Sequence, residues 1–178
     1  FQSDTSFPGE FEPPWRARRI SAVLSGSEGW TVSSTQALQR DAVSNRAIAL
    51  LKLLRADLQE QPGAAVDELL AWDGDMRATS HGAKSFAELL VSMEEEIGRD
   101  EVQRFALTDN PIGPEEILRL LAGGLDPRWW DDARGSMKRS PIEVIEAAVR
   151  SLEDSRGRIR WGDVHQVAFD HPLASLPG

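Results

Sequence analysis

One apolar stripe constrains the fold of this chain more than any other feature of its sequence. Six apolar residues recur at offsets of four, seven, eight, eleven and fifteen from the first: Val43, Ala47, Leu50, Leu51, Leu54 and Leu58. That spacing follows the 3.6-residue period of an α-helix, so the side chains share one face. Ser33 with Gln36 forms a capping-box pattern that predicts the start of this helix, and Pro62-Gly63 predicts its end. The sequence therefore predicts one long amphipathic helix whose apolar face packs against other elements.

Shorter helical patterns, separated by proline and glycine, fill most of the remaining sequence. They cover residues 13–24, 64–72, 81–97, 115–122 and 141–156. Ser80 and Ser140 stand directly before two of these segments, where an N-cap residue is expected, and Glu143 completes a capping box with Ser140. The predicted buried face of the segment from position 81 carries Phe86, Leu89, Leu90 and Met93. The tail, residues 159–169, is predicted to be extended.

The organisation of the chain indicates a single domain. No internal repeat, low-complexity tract or linker divides it, and strand-like alternation is nearly absent. Its 178 residues suffice for one sizeable core. We expect a mainly α, irregular multi-helix domain over residues 4–178, with short helices joined at proline and glycine. Phe1-Gln2-Ser3 matches the tail of a common tag-cleavage sequence, so residues 1–3 are expected to be a tag remnant.

Charge and residue content argue against several classes of function. The formal net charge of −9 argues against nucleic acid as a partner, because phosphates require clustered Lys and Arg. No apolar run approaches the roughly 18 residues of a membrane span, so no membrane partner is expected. The chain has no cysteine, which removes disulfides, thiolate catalysis and Cys-based zinc sites. We expect neither a cofactor nor a metal ion in this segment.

A basic cluster, Trp15-Arg16-Ala17-Arg18-Arg19, stands out in this acidic chain. An arginine at a helix start beside an aromatic ring can bind a carboxylate, stack on the ring, or pair with Glu10 or Glu12. From residue types alone a surface ion pair is the commoner outcome, and such pairs contribute only about 0–1 kcal/mol. Gln39-Arg40-Asp41 is likewise predicted to be the solvated face of the long helix, with local ion pairs.

Two carboxylates and three histidines are further candidates. Asp73 and Asp75 could bind a metal or act as acid and base, but Trp72-Asp73-Gly74-Asp75 is more typical of a turn in which Asp bonds to nearby backbone. The pattern fails as an EF-hand, because its twelfth position is a lysine. The histidines are His81, His165 and His171, and their spacing matches no compact zinc-ligand pattern. They are expected to be ordinary hydrogen-bonded histidines.

Three separated segments and a short closing one stand in a characteristic order. They are residues 13–20 (PPWRARRI), 69–76 (LLAWDGDM), 160–167 (RWGDVHQV) and 169–173 (FDHPL). Together they resemble, over about residues 12–173, the β subunit of the penicillin acylase family of N-terminal-nucleophile hydrolases. The resemblance implies a helical piece of an αββα-layered parent. Its partners would be the α chain, the β-subunit core and an N-acylated small-molecule substrate, and the parent would be periplasmic or secreted.

The resemblance also assigns a role to Arg16. In that family an arginine leading an Arg-x-x-x-Ile segment lies near the active site, and Arg16 with Ile20 fits this segment. Arg16 is therefore expected to be a supporting catalytic residue that orders the site around the α-amine of the nucleophile. The parent would hydrolyse an N-acyl amide such as a β-lactam side chain or an acyl-homoserine lactone. Its N-terminal residue, usually Ser, would be the nucleophile and its own α-amine the base.

The chain does not open with Ser, Thr or Cys, and the oxyanion-hole Asn and the calcium ligands are expected outside this segment. We therefore expect an excised piece that helps frame the acyl-binding and active site and is inactive alone. Two alternatives remain open. The first is a non-enzymatic helical interaction module, in which the six tryptophans would form an exposed face for a protein partner. The second is a metal-dependent enzyme that uses Asp73, Asp75 and His81.

Overall fold

The computed structural model describes residues 13–132, 138–152 and 159–167, and within these ranges the chain is helical with no β-strand. The α-helices are α1 (Trp15–Ser25), α2 (Val32–Gln39), α3 (Asn45–Gln59), α4 (Ala64–Ala71), α5 (His81–Phe105), α6 (Pro114–Leu121), α7 (Pro141–Leu152) and α8 (Trp161–Val164). A 3₁₀ turn covers Pro127–Trp130. The mainly α fold that the sequence predicts is confirmed. Of the helices in these ranges, none combines the length and apolar content that crossing a bilayer requires.

The longest helix, α5, is the element on which α4, α6, α7 and α8 pack. It contacts α4, α6, α7, α8 and the 3₁₀ turn, while α3 packs against α4, α6 and α7 on the other side of the core. The predicted apolar face of α5 is buried, and it continues to Ile97. The stripe of α3 is also buried from Ala47 to Leu58. Each large apolar side chain buried in this way stabilises the fold by about 1.5–3 kcal/mol. Most of these buried side chains repeat at the helical period along α3 and α5.

The helix predicted from the pattern that begins at Ser33 is two helices, and this part of the prediction is wrong. α2 ends at Gln39 and α3 begins at Asn45, with irregular backbone between them. Ser44 caps α3, because its hydroxyl accepts a hydrogen bond from the N–H of Ala47 at 3.2 Å. Asp41 accepts one from the N–H of Val43 at 2.8 Å. Side chains that take backbone N–H groups in this way compete with the helical hydrogen bonds, which explains the break.

Other helix ends also differ from the prediction. α5 continues past Ile97 to Phe105, where Ala106 adopts a left-handed conformation with φ of 49°. Within the tail predicted to be extended, residues Trp161–Val164 form one helical turn, because the carboxylate of Asp163 accepts a hydrogen bond from the N–H of Arg160 at 2.9 Å. The predicted tag remnant and the segment 169–173, with His171, lie outside the described residues.

The corner between α4 and α5 is built around Trp72. Its indole N–H donates to the carbonyl of Asp75 and to the hydroxyl of Ser80, both at 3.1 Å. The same hydroxyl accepts from the N–H of Ala83 at 3.1 Å and so caps α5, as predicted. The indole ring lies against Gly82 and 5.2 Å from the ring of Phe86. A Cβ added at Gly82 would lie only 2.5 Å from the Cγ of Trp72.

This close approach predicts that Gly82→Ala destabilises the protein. Moving the indole aside would break its hydrogen bonds to Asp75 and Ser80, so we expect the free energy of unfolding to fall by about 1–3 kcal/mol, measured by urea denaturation of the chain. Gly26→Ala is the matched control, because a Cβ there meets nothing closer than the carbonyl of Ala22 at 3.4 Å. That substitution should be neutral or stabilising by up to about 1 kcal/mol. Equal stability of the two variants would contradict the packing described for Trp72.

Candidate functional site

Backbone hydrogen bonds bring together sequence segments that lie far apart in the chain. The N–H of Ser44 donates to the carbonyl of Gly74 at 2.9 Å, and the N–H of Met76 donates to that of Ala42 at 3.1 Å. These bonds flank an antiparallel bridge between Val43 and Asp75. A few residues later, Trp161 N–H donates to the carbonyl of Ser80 and Gly162 N–H to that of Ala78, both at 2.8 Å. The motif segment 160–167 therefore attaches to residues 78–80, which directly follow the motif segment 69–76. Residues 42–44 attach to the end of that same segment.

We call residues 38–44 and 74–80 with Arg16 and Arg19 the motif junction, because α1 attaches there too. The guanidinium of Arg16 donates from Nη1 to the carbonyl of Asp41 at 2.8 Å and from Nη2 to the carbonyl of Leu38 at 3.0 Å. Both carbonyls belong to the end of α2 or to the residues just after it, where helix carbonyls lack partners and carry partial negative charge. Arg16 is thus anchored to backbone, while Glu10 and Glu12, the ion-pair partners expected from residue types, lie outside the described residues.

Asp41 lies at the centre of the junction. Its Oδ2 accepts hydrogen bonds from Nε and Nη2 of Arg19 at 3.0 and 2.8 Å, and its Oδ1 accepts the N–H of Val43. Burial by itself would raise the pKa of Asp41, but the hydrogen bonds from Arg19 and Val43 and the charges of Arg19 and Arg16 outweigh it and hold the pKa below its ordinary value. The side chain is only 13% exposed. The predicted solvated helix face is therefore wrong at Asp41, which lies in the break after α2.

The predicted turn at residues 72–75 is confirmed. Oδ1 of Asp73 accepts the N–H of Asp75 at 3.0 Å, and Gly74 has a φ of 86°, which a glycine adopts without strain. Asp75 in turn accepts the N–H of Arg77 at 3.0 Å and pairs with the Arg77 guanidinium, whose hydrogen bond and charge lower the pKa of Asp75. Both carboxylates are thus occupied by the turn and its arginine.

His81 and the two carboxylates of the metal-dependent alternative, Asp73 and Asp75, have separate partners. Nδ1 of His81 lies 3.2 Å from the carbonyl of Ile159 and is hydrogen-bonded to it, whereas Asp73 and Asp75 bond within their turn. Within the described ranges, no three His, Asp or Glu side chains converge in a way that could hold a metal ion. His165 stacks on Trp161 with the ring centroids 4.4 Å apart.

The tryptophans do not form the exposed face that an interaction module would need. All six lie in the described ranges, and each is buried or partly buried. Trp15 donates from its indole N–H to Oε1 of Glu115 at 2.6 Å, and this contact joins the start of α1 to α6. Trp130 is 6% exposed in the core. Trp130 belongs to the core, and Trp72 and Trp129 pack against it.

The surface of the described residues includes two grooves that are lined by both polar and apolar side chains. The first measures about 630 Å³ and lies beside the motif junction, lined by Pro13, Trp15, Arg16, Gln39, Asp41, Ala42, Val43, Ser44, Asn45 and Arg46. The second measures about 470 Å³ and lies between α5, α7 and α8. It contains the Lys84–Glu88 ion pair at 2.6 Å and the hydroxyls of Ser92 and Ser151, also 2.6 Å apart. Sequence reasoning missed this second groove, and only the four-residue spacing of Lys84 and Glu88 on a predicted helix indicated their pairing.

Glu101 has a raised pKa but lies far from the motif junction. It is on α5, ~30 Å along the helix from Ser80 at 1.5 Å per residue. Burial raises the pKa of Glu101 to about 7, and the neighbouring carboxylate of Asp100 adds to the shift. Its Oε2 is buried without a hydrogen-bond partner in the part of the chain that the structure describes. A carboxyl group in this setting is more easily protonated in the folded state than in the unfolded state.

The sign of this shift predicts a pH-dependent effect of Glu101→Gln. The stabilisation from the protonated carboxyl is complete below its unfolded pKa of about 4.3 and is lost as the pH rises through about 7. The variant should therefore raise the melting temperature relative to wild type at pH 8 and change it less at pH 5, in thermal unfolding scans of the chain. Glu95→Gln is the control, because Glu95 is 61% exposed and pairs only loosely with Arg99 at 3.3 Å. A Glu101→Gln effect that did not vary with pH would exclude the raised pKa.

Comparison with known proteins places these features in context. A family model described as penicillin amidase matches residues 2–177. The chain is 28% identical over 182 residues to penicillin acylase 2 proenzyme of Pseudomonas sp. (strain SE83), covering 92% of this chain and 22% of that protein. It is 25% identical over 197 residues to the acyl-homoserine lactone acylase QuiP of Pseudomonas aeruginosa, covering 92% of this chain and 23% of that protein. The chain thus spans between a fifth and a quarter of the length of these relatives.

Proposed function

The chain belongs to the penicillin amidase family, and from that membership we propose that it is one segment of a larger N-acyl amide hydrolase. In the proposed enzyme it helps to frame the acyl-binding and active site, and the remainder of the longer protein supplies the nucleophile. The support for a larger enzyme is that the two relatives, both named as acylases, are more than four times as long as the part that this chain matches. The substrate class would be an amine that carries an acyl group through an amide bond.

The observation that carries the proposal is the anchoring of Arg16 at the edge of a groove. A guanidinium has five N–H donors in a fixed plane, and the carbonyls of Leu38 and Asp41 engage one N–H on each of its two Nη atoms. Arg16 also lines the 630 Å³ groove beside the motif junction. This volume lies within the range typical of small-molecule sites. The backbone thus fixes one edge of the guanidinium, while the groove gives solutes access to the same side chain.

A fixed cation in this place would assist an N-terminal nucleophile in two ways. It would disfavour the protonated form of the nearby α-amine, whose ordinary pKa is about 7.7–8.0, so that more of the amine is free to accept the hydroxyl proton at neutral pH. It would also stabilise the negative charge that develops on the carbonyl oxygen when the nucleophile adds to it. The amine then returns the proton to the leaving amine as the C–N bond breaks, and water hydrolyses the acyl-enzyme.

Polar groups in the same groove would contact the substrate. Gln39 and Asn45 offer amide donors and acceptors, and Arg46, whose Nη1 is 3.7 Å from Oε1 of Glu115, supplies a second guanidinium. We propose that these side chains help to orient the substrate in front of Arg16. The chain by itself would have no acylase activity under this proposal, because the groups that form and break bonds belong to the longer protein.

Replacement of Arg16 tests the proposal. In the full-length protein, Arg16→Ala should lower kcat by about 10²-fold or more, the usual effect of losing one preorganised charge-stabilising group. Initial rates would be measured on a penicillin, an N-acyl-homoserine lactone and a simple N-acyl amino acid. Arg18→Ala is the matched control on the same helix. Among the described residues Arg18 stacks over the Trp15 ring, 5.5 Å from its centroid, and the variant should stay within about twofold of wild type.

Two results would contradict the proposal at different points. If the full-length wild-type protein released no amine from any of these substrates, the acylase assignment itself would be wrong. If wild type were active and Arg16→Ala matched Arg18→Ala, the protein would be an acylase in which Arg16 has only a structural role. Melting temperatures of both variants would show whether a lost rate reflects lost fold.

A further inference from the structure

Helix α1, which carries Arg16, packs against α3 and also makes polar contacts with α6 and the motif junction. None of its residues is buried. Its contacts with the rest of the chain include the Trp15–Glu115 hydrogen bond and the contacts of two arginines with the motif junction. Apolar packing is nondirectional and would tolerate small rotations of a surface helix. Hydrogen bonds to charged groups are short and directional, so these contacts restrict the rotation of α1 on α3.

Both arginine contacts pass through one residue, Asp41. Its carbonyl accepts Nη1 of Arg16 at 2.8 Å, and its carboxylate accepts Nε and Nη2 of Arg19 at 3.0 and 2.8 Å. The other carboxylate oxygen accepts the N–H of Val43, which fixes the backbone of residues 41–43 in a tight turn. The carboxylate therefore controls the direction of the carbonyl that anchors Arg16, and it also holds the neighbouring turn of α1.

We propose that Asp41 is a positioning residue that holds Arg16 in its working orientation, an inference that rests on the function proposed above. Without the carboxylate charge, Arg19 would lose its partner and the turn at residues 41–43 would loosen. Arg16 would then lose the fixed carbonyl on one side of its guanidinium. A displacement of about 1 Å in such a group is enough to reduce catalysis markedly.

The chain contains a matched comparison for Asp41. Asp75 lies opposite Val43 in the antiparallel bridge and makes the same two kinds of contact, one to a backbone N–H two residues later and one to an arginine. That arginine, Arg77, is two residues away on the same loop and is 72% exposed. The Asp75–Arg77 pair therefore links no second helix to the junction, whereas the Asp41–Arg19 pair links α1 to it.

The test compares Asp41→Asn with Asp75→Asn in the full-length protein. Both substitutions remove one charge and keep the side-chain size. We expect Asp41→Asn to lower kcat at least about tenfold with KM within about threefold, and Asp75→Asn to leave both near wild type. Asp41→Glu, which restores the charge, should recover part of kcat. In an Arg16→Ala background, Asp41→Asn should have little further effect on kcat, because residues that act through one another are not additive.

A structural measurement separates this inference from the proposed function. Amide hydrogen exchange in α1 should accelerate in Asp41→Asn and stay at the wild-type rate in Asp75→Asn, whether or not a substrate has been identified. Unchanged exchange in α1 of Asp41→Asn would overturn the positioning role even in an active enzyme. A kcat loss that is equally large in the Arg16→Ala background would also overturn it. By contrast, accelerated exchange together with an inactive wild-type protein would leave the positioning of α1 supported and the acylase assignment refuted.

Discussion

A short antiparallel pairing between residues 42–44 and 74–76 holds the segment before α3 against the segment after α4, and the anchoring of Arg16 depends on it. It consists of two backbone hydrogen bonds around the Val43–Asp75 bridge. Such bonds contribute only about 0.5–1.5 kcal/mol each, much less than the apolar faces of α3, α5 and α7 together. The pairing nevertheless fixes how these two segments lie relative to each other, because it ties the residues before α3 to those after α4. The end of α2, where the carbonyls that hold Arg16 lie, takes its place from this pairing.

The sequence predicted the elements whose formation depends on local periodicity. Leu50, Leu54 and Leu58 repeat at the helical spacing and are all fully buried, as are Leu89 and Met93 on α5. The same period could not reveal the break between α2 and α3, because Val43 continues the apolar stripe although it pairs with Asp75. That pairing depends on a residue 32 positions away, and a pattern read over one or two helical turns carries no information about it.

The candidate site was predictable to a smaller extent. Arg16 was identified only through the resemblance to a family, since residue types alone favoured a surface ion pair for it. Its actual partners are backbone carbonyls, which every residue has and which therefore leave no trace in a sequence. The sequence alone places Asp41 on a solvated helix face with local ion pairs, as part of the long helix that it predicts. Its burial results from the break after α2, and so from the same long-range pairing.

An anchor made of backbone carbonyls has a consequence for variation at this site. Replacing Leu38 changes a side chain but leaves its carbonyl in place, so the contact with Arg16 depends on the path of the backbone and hardly on the side chain at that position. The path depends in turn on the Asp41 carboxylate and on the pairing with residues 74–76. Groove side chains such as Gln39 and Asn45 take no part in that anchor. Substrate contacts made by Gln39 or Asn45 in the proposed enzyme can therefore change without moving Arg16, whereas Asp41 both lines the groove and holds the arginine.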